Sequence, residues 1–301
     1  MKGTAGRTRI PVTAAPTLGT GTSSLLRRRI WAEGDYHALL ERFGIGEIGA
    51  HLVERAGVGA GMRVLDVATG TGNVAVHAAA AGAAVFGVDI TEEMLAGASR
   101  HARGSGRRVT LVQGDAEALP FADARFDRVL SGLGVMFAAD HARAAAELVR
   151  VCRPGGTIGL CSWTPEGVPG VVARALDSHL CGDGSGCDAG SSPLQWGSED
   201  RVRSLFAGRG VSLRFERASA PIVLDSSDAY LRILADHAGP VAVDRAMLVG
   251  WGRWARLSTE LGILLEASNE TPGAGWTARQ EYLVVVATKD RPGAPAGTGG
   301  A

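Results

Sequence analysis

The sequence predicts an α/β protein with a doubly wound, mainly parallel sheet. Short runs of apolar and β-branched residues alternate with segments long enough for helices. Each run is almost continuously apolar, which is typical of strands that are covered by helices on both faces. A glycine-rich turn directly follows the first run, as in open sheets that bind a ligand at their carboxyl edge.

The composition supports a globular chain with a full core. The 301 residues are 46% hydrophobic and 21% charged, and a chain of this length can bury a large apolar core. Five strands are predicted in the first half, at residues 63–67, 85–88, 109–112, 128–131 and 157–161.

Helix-capping residues separate these strands. Gly82 ends the helix that begins near Gly72, and Thr91 begins a helix that runs to about Arg103. Asp140 caps a helix that begins at His141. On either side of this region the sequence predicts two or three helices at 24–56, a loop at 181–192, a helix at 198–208, a strand at 212–217, mainly helices at 225–267 and a last strand at 281–287.

Charge and cysteine usage exclude several classes of protein. The chain has 31 basic and 31 acidic residues, so it lacks the positive field that attracts nucleic acid or an anionic membrane. Lys2 and Lys289 are its only lysines, which argues against Schiff-base chemistry. Four cysteines without a C-x-x-C pair predict no disulfide scaffold and no metal site. Without a signal-like segment or a run of roughly 18 apolar residues, we expect a soluble, cytoplasmic protein.

The glycine-rich turn leaves two kinds of cofactor open. Residues 70–75 fit the G-x-G-x-x-A pattern of dinucleotide binding, so an NAD-dependent oxidoreductase is one alternative. Asp89, at the end of the second strand, suits ribose hydroxyls with either NAD or S-adenosylmethionine. Asp115 follows the third strand and suits an adenine amino group. Asp66, just before the glycines, has no role in an NAD fingerprint and favours S-adenosylmethionine.

Five ordered motifs carry a resemblance to a known family. They are Trp31-Ala-Glu-Gly-Asp-Tyr36 and the segments 66–72, 88–91, 114–121 and 153–156. With these motifs the chain resembles class I S-adenosylmethionine-dependent methyltransferases of the ubiquinone/menaquinone-biosynthesis type, common among actinobacterial small-molecule enzymes. The resemblance implies a Rossmann-like sheet of seven strands in the order 3-2-1-4-5-7-6. Its last strand, at 281–287, would be antiparallel.

The resemblance also implies S-adenosylmethionine as cofactor and the residues that bind it. At the glycine loop and the methionine end these would be Tyr36, Asp66, Ala68, Gly70, Gly72 and Ser131. Around the adenosine they would be Asp89, Ile90, Met94, Asp115 and Ala116. Ala68 departs from the family pattern, in which many members carry a glycine at this position.

The domain organisation follows from these assignments. We expect a disordered tail at 1–24, an N-terminal helical lid at 25–58 and a cofactor-binding core at 59–165. The remaining core and a helical substrate lid would occupy 166–275, with a closing strand at 276–290. A second disordered tail is expected at 291–301, because its Gly, Pro and Ala residues provide little core material.

The catalytic residue is predicted from its position in the chain, and the acceptor-binding residues from their size and aromatic character. His141, just beyond the fourth strand, is the candidate base, with a solvent-facing helix position as its alternative. His37 and His237 are further candidates. The acceptor pocket is predicted from residues that are large and apolar or aromatic: Met136, Phe137, Trp163, Trp196, Trp251 and Trp254.

These residues predict O-methylation of an apolar or aromatic secondary metabolite, with nitrogen or carbon methylation also open. Trp251 and Trp254 could instead form the core of the lid. The partner would be a small molecule, not nucleic acid or a membrane. The alternatives are an NAD-dependent oxidoreductase and a non-catalytic protein with the same fold.

Overall fold

A computed structural model describes residues 24–181 and 192–291. The two predicted tails, at 1–24 and 291–301, and the predicted loop at 181–192 lie almost entirely outside the described residues. None of the described helices is long and apolar enough to cross a bilayer.

The strands form one mixed sheet. They are β1 (Arg63–Val67), β2 (Ala84–Asp89), β3 (Val109–Gln113), β4 (Phe126–Gly132), β5 (Cys152–Trp163), β6 (Val211–Leu224) and β7 (Trp276–Lys289). Their order is β3-β2-β1-β4-β5-β7-β6. β7 is antiparallel to both of its neighbours, and the other neighbouring pairs are parallel. The predicted fold, strand order and antiparallel closing strand are confirmed.

Helices cover both faces of this sheet. In chain order they are α1 (Ser24–Ala32), α2 (Tyr36–Phe43), α3 (Glu47–Arg55), α4 (Asn73–Ala80), α5 (Glu92–Gly104), α6 (His141–Val151), α7 (Val168–Cys181), α8 (Glu199–Phe206), α9 (Ser227–His237), α10 (Gly239–Gly250) and α11 (Trp254–Ala267). The Asp140 side chain accepts a hydrogen bond from the Arg143 amide, so it caps α6 as predicted.

Consecutive strand residues enter opposite cores, which explains why the central strands are mainly apolar. Val64 and Val284 pack in the core with α3, α7 and α11. Leu65 and Val285 pack on the other face with α6 and α8. A strand that is buried on both faces has no position that tolerates a polar side chain without a partner.

The edge strand β6 extends beyond its predicted end at residue 217. β6 and β7 remain paired from Val211 opposite Lys289 to Leu224 opposite Trp276. β6 alternates between partly buried and exposed side chains along much of its length. This alternation is typical of an antiparallel strand with one solvated face.

Candidate active site

A cavity of about 360 Å³ lies at the carboxyl ends of β1, β2 and β4. Its lining includes residues from α1 and α2 near the start of the described chain, and from α9 and α10 near its end. This is the edge at which open α/β sheets bind their ligands.

The glycine loop forms one wall of the cavity. Ala68, Gly70 and Gly72 all have positive φ angles, of 52°, 54° and 85°. Ala68 is therefore a non-glycine residue in a left-handed conformation, which most side chains disfavour. A Cβ atom on Gly134 would lie only 2.5 Å from the Ala68 carbonyl oxygen. The approach of these two loops therefore requires glycine at position 134.

Asp66, on β1, holds this loop in place through hydrogen bonds. Its Oδ2 atom accepts hydrogen bonds from the Thr69 hydroxyl at 2.5 Å and from the Ala75 amide at 3.0 Å. The side chain is buried and is not part of the cavity lining. Burial raises its pKa to about 7, although the bonds from Thr69 and Ala75 act in the opposite direction.

Asp89 lies between the same loop and the end of β2. Its carboxylate accepts hydrogen bonds from the Gly70 amide at 2.8 Å and from the Thr91 amide at 3.0 Å. Asp89 lines the cavity although it is only 7% exposed, and burial raises its pKa. An ionised carboxylate offers about four acceptor sites, so two bonded amides leave capacity for two hydroxyl groups.

Asp115 follows β3, the strand next to β2, which ends at Asp89. It is paired with an arginine that the sequence did not indicate as a site residue. Arg27, on α1, donates to Asp115 Oδ2 at 3.3 Å and to Glu117 Oε1 at 2.8 Å. Arg27 lines the cavity and is 8% exposed. Because 88 residues separate Arg27 from Asp115, no local sequence pattern could have linked them.

The remaining predicted cofactor residues divide into two groups. Those that line the cavity together with Asp89 and Asp115 are Tyr36, Ala68, Gly70, Ile90, Met94 and Ala116. Those outside the lining are Asp66, Gly72 and Ser131. Ser131 joins two strands, because its hydroxyl donates to the Val67 carbonyl at 2.7 Å and accepts from the Val135 amide at 2.9 Å.

Tyr36 is held at the junction of the two helical segments. Its hydroxyl accepts a hydrogen bond from the Gly239 amide at 3.1 Å, and burial raises its pKa. Its ring lies 5.4 Å from that of Trp31, which in turn lies 4.8 Å from Phe137. These contacts connect the N-terminal helices with α10 and with the turn after β4.

The second half of the cavity is apolar. The predicted acceptor residues Met136, Phe137 and Trp163 line it. Helices α2, α7, α9 and α10 contribute further aliphatic and aromatic side chains, among them Leu39, Leu40, Phe43, Val172, Leu176, Leu234 and Val241. Tyr230 also lines the cavity, and its ring stacks on Phe43 at 4.7 Å.

Several predicted residues are not brought to the cavity. His141 is buried against Trp196, with the ring centroids 5.7 Å apart, and burial lowers the pKa of His141. Trp251 is 42% exposed, and Trp254 packs under the Arg245 guanidinium at 5.3 Å. His37 and His237 are also outside the cavity lining. Within residues 24–181 and 192–291, no group of three His, Cys, Asp or Glu side chains is arranged to hold a metal ion.

Comparisons with known proteins identify the family. A methyltransferase-domain family model matches residues 65–160. An uncharacterised protein of Mycobacterium tuberculosis is 38% identical over 270 residues, which cover 89% of this chain and 96% of that protein. Demethylmenaquinone methyltransferase of Thermus thermophilus is 34% identical over 167 residues, which cover 51% of this chain and 76% of that enzyme. The chain belongs to the class I S-adenosylmethionine-dependent methyltransferases.

A solved structure shows the same fold. The YcgJ protein of Bacillus subtilis superposes on this methyltransferase with a TM-score of 0.57 and 22% identity, over 81% of this chain and 99% of that one. Membership of the methyltransferase family favours methyl transfer over the NAD-dependent and non-catalytic alternatives.

S-adenosylmethionine is the cofactor, and the cavity residues fit its parts. Asp89 and Asp115 supply acceptors for hydroxyl and amino groups, while Ile90 and Met94 supply apolar surface for a purine. A Cβ atom on Gly70 would meet no atom within 4 Å, so the glycine loop leaves open space beside these acids.

Proposed function

We propose that this methyltransferase transfers a methyl group to an oxygen atom of an apolar or aromatic small molecule, a secondary metabolite. The apolar half of the cavity carries this proposal, because it offers an acceptor mainly aliphatic and aromatic surface. Sites of this kind bind small molecules through apolar contacts and orient them with a few polar groups. Nitrogen and carbon acceptors are the second candidates.

The cofactor would be held by the residues along the carboxyl edge of the sheet. In this proposal Asp89 accepts hydrogen bonds from the ribose, Asp115 from the adenine amino group, and Ala68 and Gly70 contact the methionine part. When bound, S-adenosylmethionine supplies a methyl group on a sulfonium that is already a good leaving group. Asp66 and Ser131 would act by fixing the loop through their hydrogen bonds, and Gly72 by adopting the left-handed conformation that the turn requires.

Positioning would replace general-base catalysis in this enzyme. Among the described residues that line the cavity, none is histidine, lysine, cysteine or glutamate, and its two aspartates, Asp89 and Asp115, are assigned to the cofactor in this proposal. Burial raises the pKa of the hydroxyls of Tyr36 and Tyr230, so both stay protonated near neutral pH. The proposed mechanism therefore makes no use of His141. Aligning the acceptor and excluding water supply the rate enhancement.

The helices at 25–58 would act as one lid, and the helices within 166–275, a range that also holds the remaining core, would act as the substrate lid. Residues of α1 and α2 and residues of α7, α9 and α10 line the cavity. The hydrogen bond from the Gly239 amide to Tyr36 joins the two segments, so both would move when the cavity opens.

A methyl-transfer screen tests this function. The protein is incubated with S-adenosylmethionine and with matched panels of phenols, aromatic amines and polar metabolites. Demethylmenaquinone, the compound in the name of the Thermus relative, is tested separately. S-adenosylhomocysteine release and product mass are measured, with the Asp89→Ala variant as control. We expect O-methylated phenols whose formation requires Asp89. Transfer confined to polar metabolites, or no transfer to any phenol, would contradict the proposal.

A further inference from the structure

One polar residue interrupts the apolar wall of the cavity near the end of the chain. Trp276, Ala278, Gln280 and Tyr282 occupy alternate positions of β7 and are all buried. Gln280 is 0% exposed and belongs to the cavity lining. Burying a side-chain amide in an apolar wall costs free energy unless both of its ends form hydrogen bonds. The Gln280 amide therefore needs an acceptor for its nitrogen and a donor for its oxygen.

The nitrogen end of the amide has a fixed partner. Gln280 Nε2 donates a hydrogen bond to the Phe43 carbonyl at 2.9 Å. Phe43 is the last residue of α2, where carbonyl groups lack partners within the helix. A reversed amide would place Oε1 against that carbonyl, so this hydrogen bond determines which end of the amide is the oxygen.

The oxygen end has no partner among the described residues. Gln280 Oε1 is buried and accepts no hydrogen bond from any of them. The stacking of Tyr230 on the Phe43 ring, with 6° between the ring planes, holds the end of α2 in place. Gln280 therefore keeps an unused hydrogen-bond acceptor in an otherwise apolar wall, beneath its accessible surface, so that a donor on a bound molecule reaches Oε1 once neighbouring side chains shift.

We infer that Gln280 Oε1 accepts a hydrogen bond from a hydroxyl or N–H group of the methyl acceptor. The inference rests on the proposed function, in which the apolar half of the cavity binds the acceptor. It makes Gln280 a specificity-determining residue, because an acceptor that fills the cavity without such a donor leaves the oxygen unpaired.

The position of β7 in the sheet limits the shape of that acceptor. β7 lies two strands away from β4 and three strands away from β1, which carries the glycine loop. With neighbouring strands about 5 Å apart, Gln280 is about 10 Å across the sheet from β4. An acceptor whose reacting atom lies over the end of β4 would therefore carry its donor group at the opposite end of an elongated molecule.

Calorimetry with two probe molecules tests the inference. The probes are the para,para-diphenol of biphenyl, which has a hydroxyl at each end, and the corresponding monophenol, which lacks one of them. Both are titrated into the protein saturated with S-adenosylhomocysteine. The proteins are the wild type, the Gln280→Met variant and a control, Gln195→Met, which removes an amide bonded to Arg201 outside the cavity lining.

In the wild type and in the control, we expect the diphenol to bind about tenfold more tightly than the monophenol. This preference should disappear in Gln280→Met. A merely structural Gln280 would change the affinities of both probes equally, which overturns the inference. Equal affinities in the wild type, or failure of both probes to bind, also overturn it, and these measurements do not depend on the stability of any variant.

Methyl transfer separates this inference from the proposed function. If the diphenol is preferred only when Gln280 is present, but no phenol is methylated, the proposed O-methylation fails and the role of Gln280 in binding stands. If phenols are methylated while the two probes bind equally, the proposed function stands and the role of Gln280 is wrong.

Discussion

Replacing Asp66 by asparagine is expected to remove a pH-dependent loss of stability. Burial raises the pKa of this carboxyl from 3.8 to about 7 in the folded protein. A group with a raised folded-state pKa stabilises the fold fully below its unfolded pKa, and that stabilisation is lost as the pH rises through the folded pKa. For Asp66 the loss falls between pH 3.8 and about pH 7. At 1.36 kcal/mol for each pKa unit the whole loss is about 4 kcal/mol, and about 3 kcal/mol of it falls between roughly pH 5 and pH 8.

Asparagine is a close match in shape and does not ionise. Its carbonyl oxygen can take the place of Oδ2 and accept the hydrogen bonds from Thr69 and Ala75. Urea unfolding of both proteins at several pH values measures the difference. We expect the variant to gain about 3 kcal/mol relative to the wild type between roughly pH 5 and pH 8. Parallel stability curves would refute the argument, because they would show that Asp66 titrates alike in the folded and unfolded chains.

Three further changes test the site. Asp89→Ala should weaken S-adenosylhomocysteine binding by about 2 to 3 kcal/mol through loss of charge-assisted hydrogen bonds, and an unchanged Kd by calorimetry would place this carboxylate outside the cofactor site. Arg27→Met removes the pairing of Arg27 with Asp115 and Glu117 and should lower the free energy of unfolding by about 2 kcal/mol; equal resistance of α1 to proteolysis would contradict this. Trp251→Ala, at a residue that is 42% exposed, should change stability by less than about 0.5 kcal/mol and leave the acceptor KM unchanged. A raised KM would assign Trp251 to the acceptor site.

The central strands could be predicted because their burial leaves a local pattern. Both faces of β1 and β4 are covered, so most of their buried positions are apolar. The full length of β6 could not be predicted in the same way. The predicted strand ends at Arg217, where small residues and Pro221 follow, and only the pairing with β7 shows that β6 continues to Leu224.

The same distinction between local and distant information applies to the site. Asp89 and Asp115 follow strands directly, so their place at the sheet edge could be inferred from the chain order. The presence of an aromatic residue does not specify the direction of its side chain, which is why Trp196 lies in the core rather than in the cavity lining. Arg27 is paired with distant residues, but Gln280 left a signal, a polar residue at an inward position of a strand.

Residues from both ends of the described chain line the cavity, so the cavity is complete only late in protein synthesis. Arg27 belongs to α1, the first described helix, and Gln280 to β7, the last described strand, and both line the same cavity. The ribosome releases β1 to β5 well before β7, which must then insert between β5 and β6. A nascent chain can therefore display the glycine loop before it has an acceptor pocket. Translation products that stop short of β7 would lack methyltransferase activity and leave one edge of β5 without its partner strand.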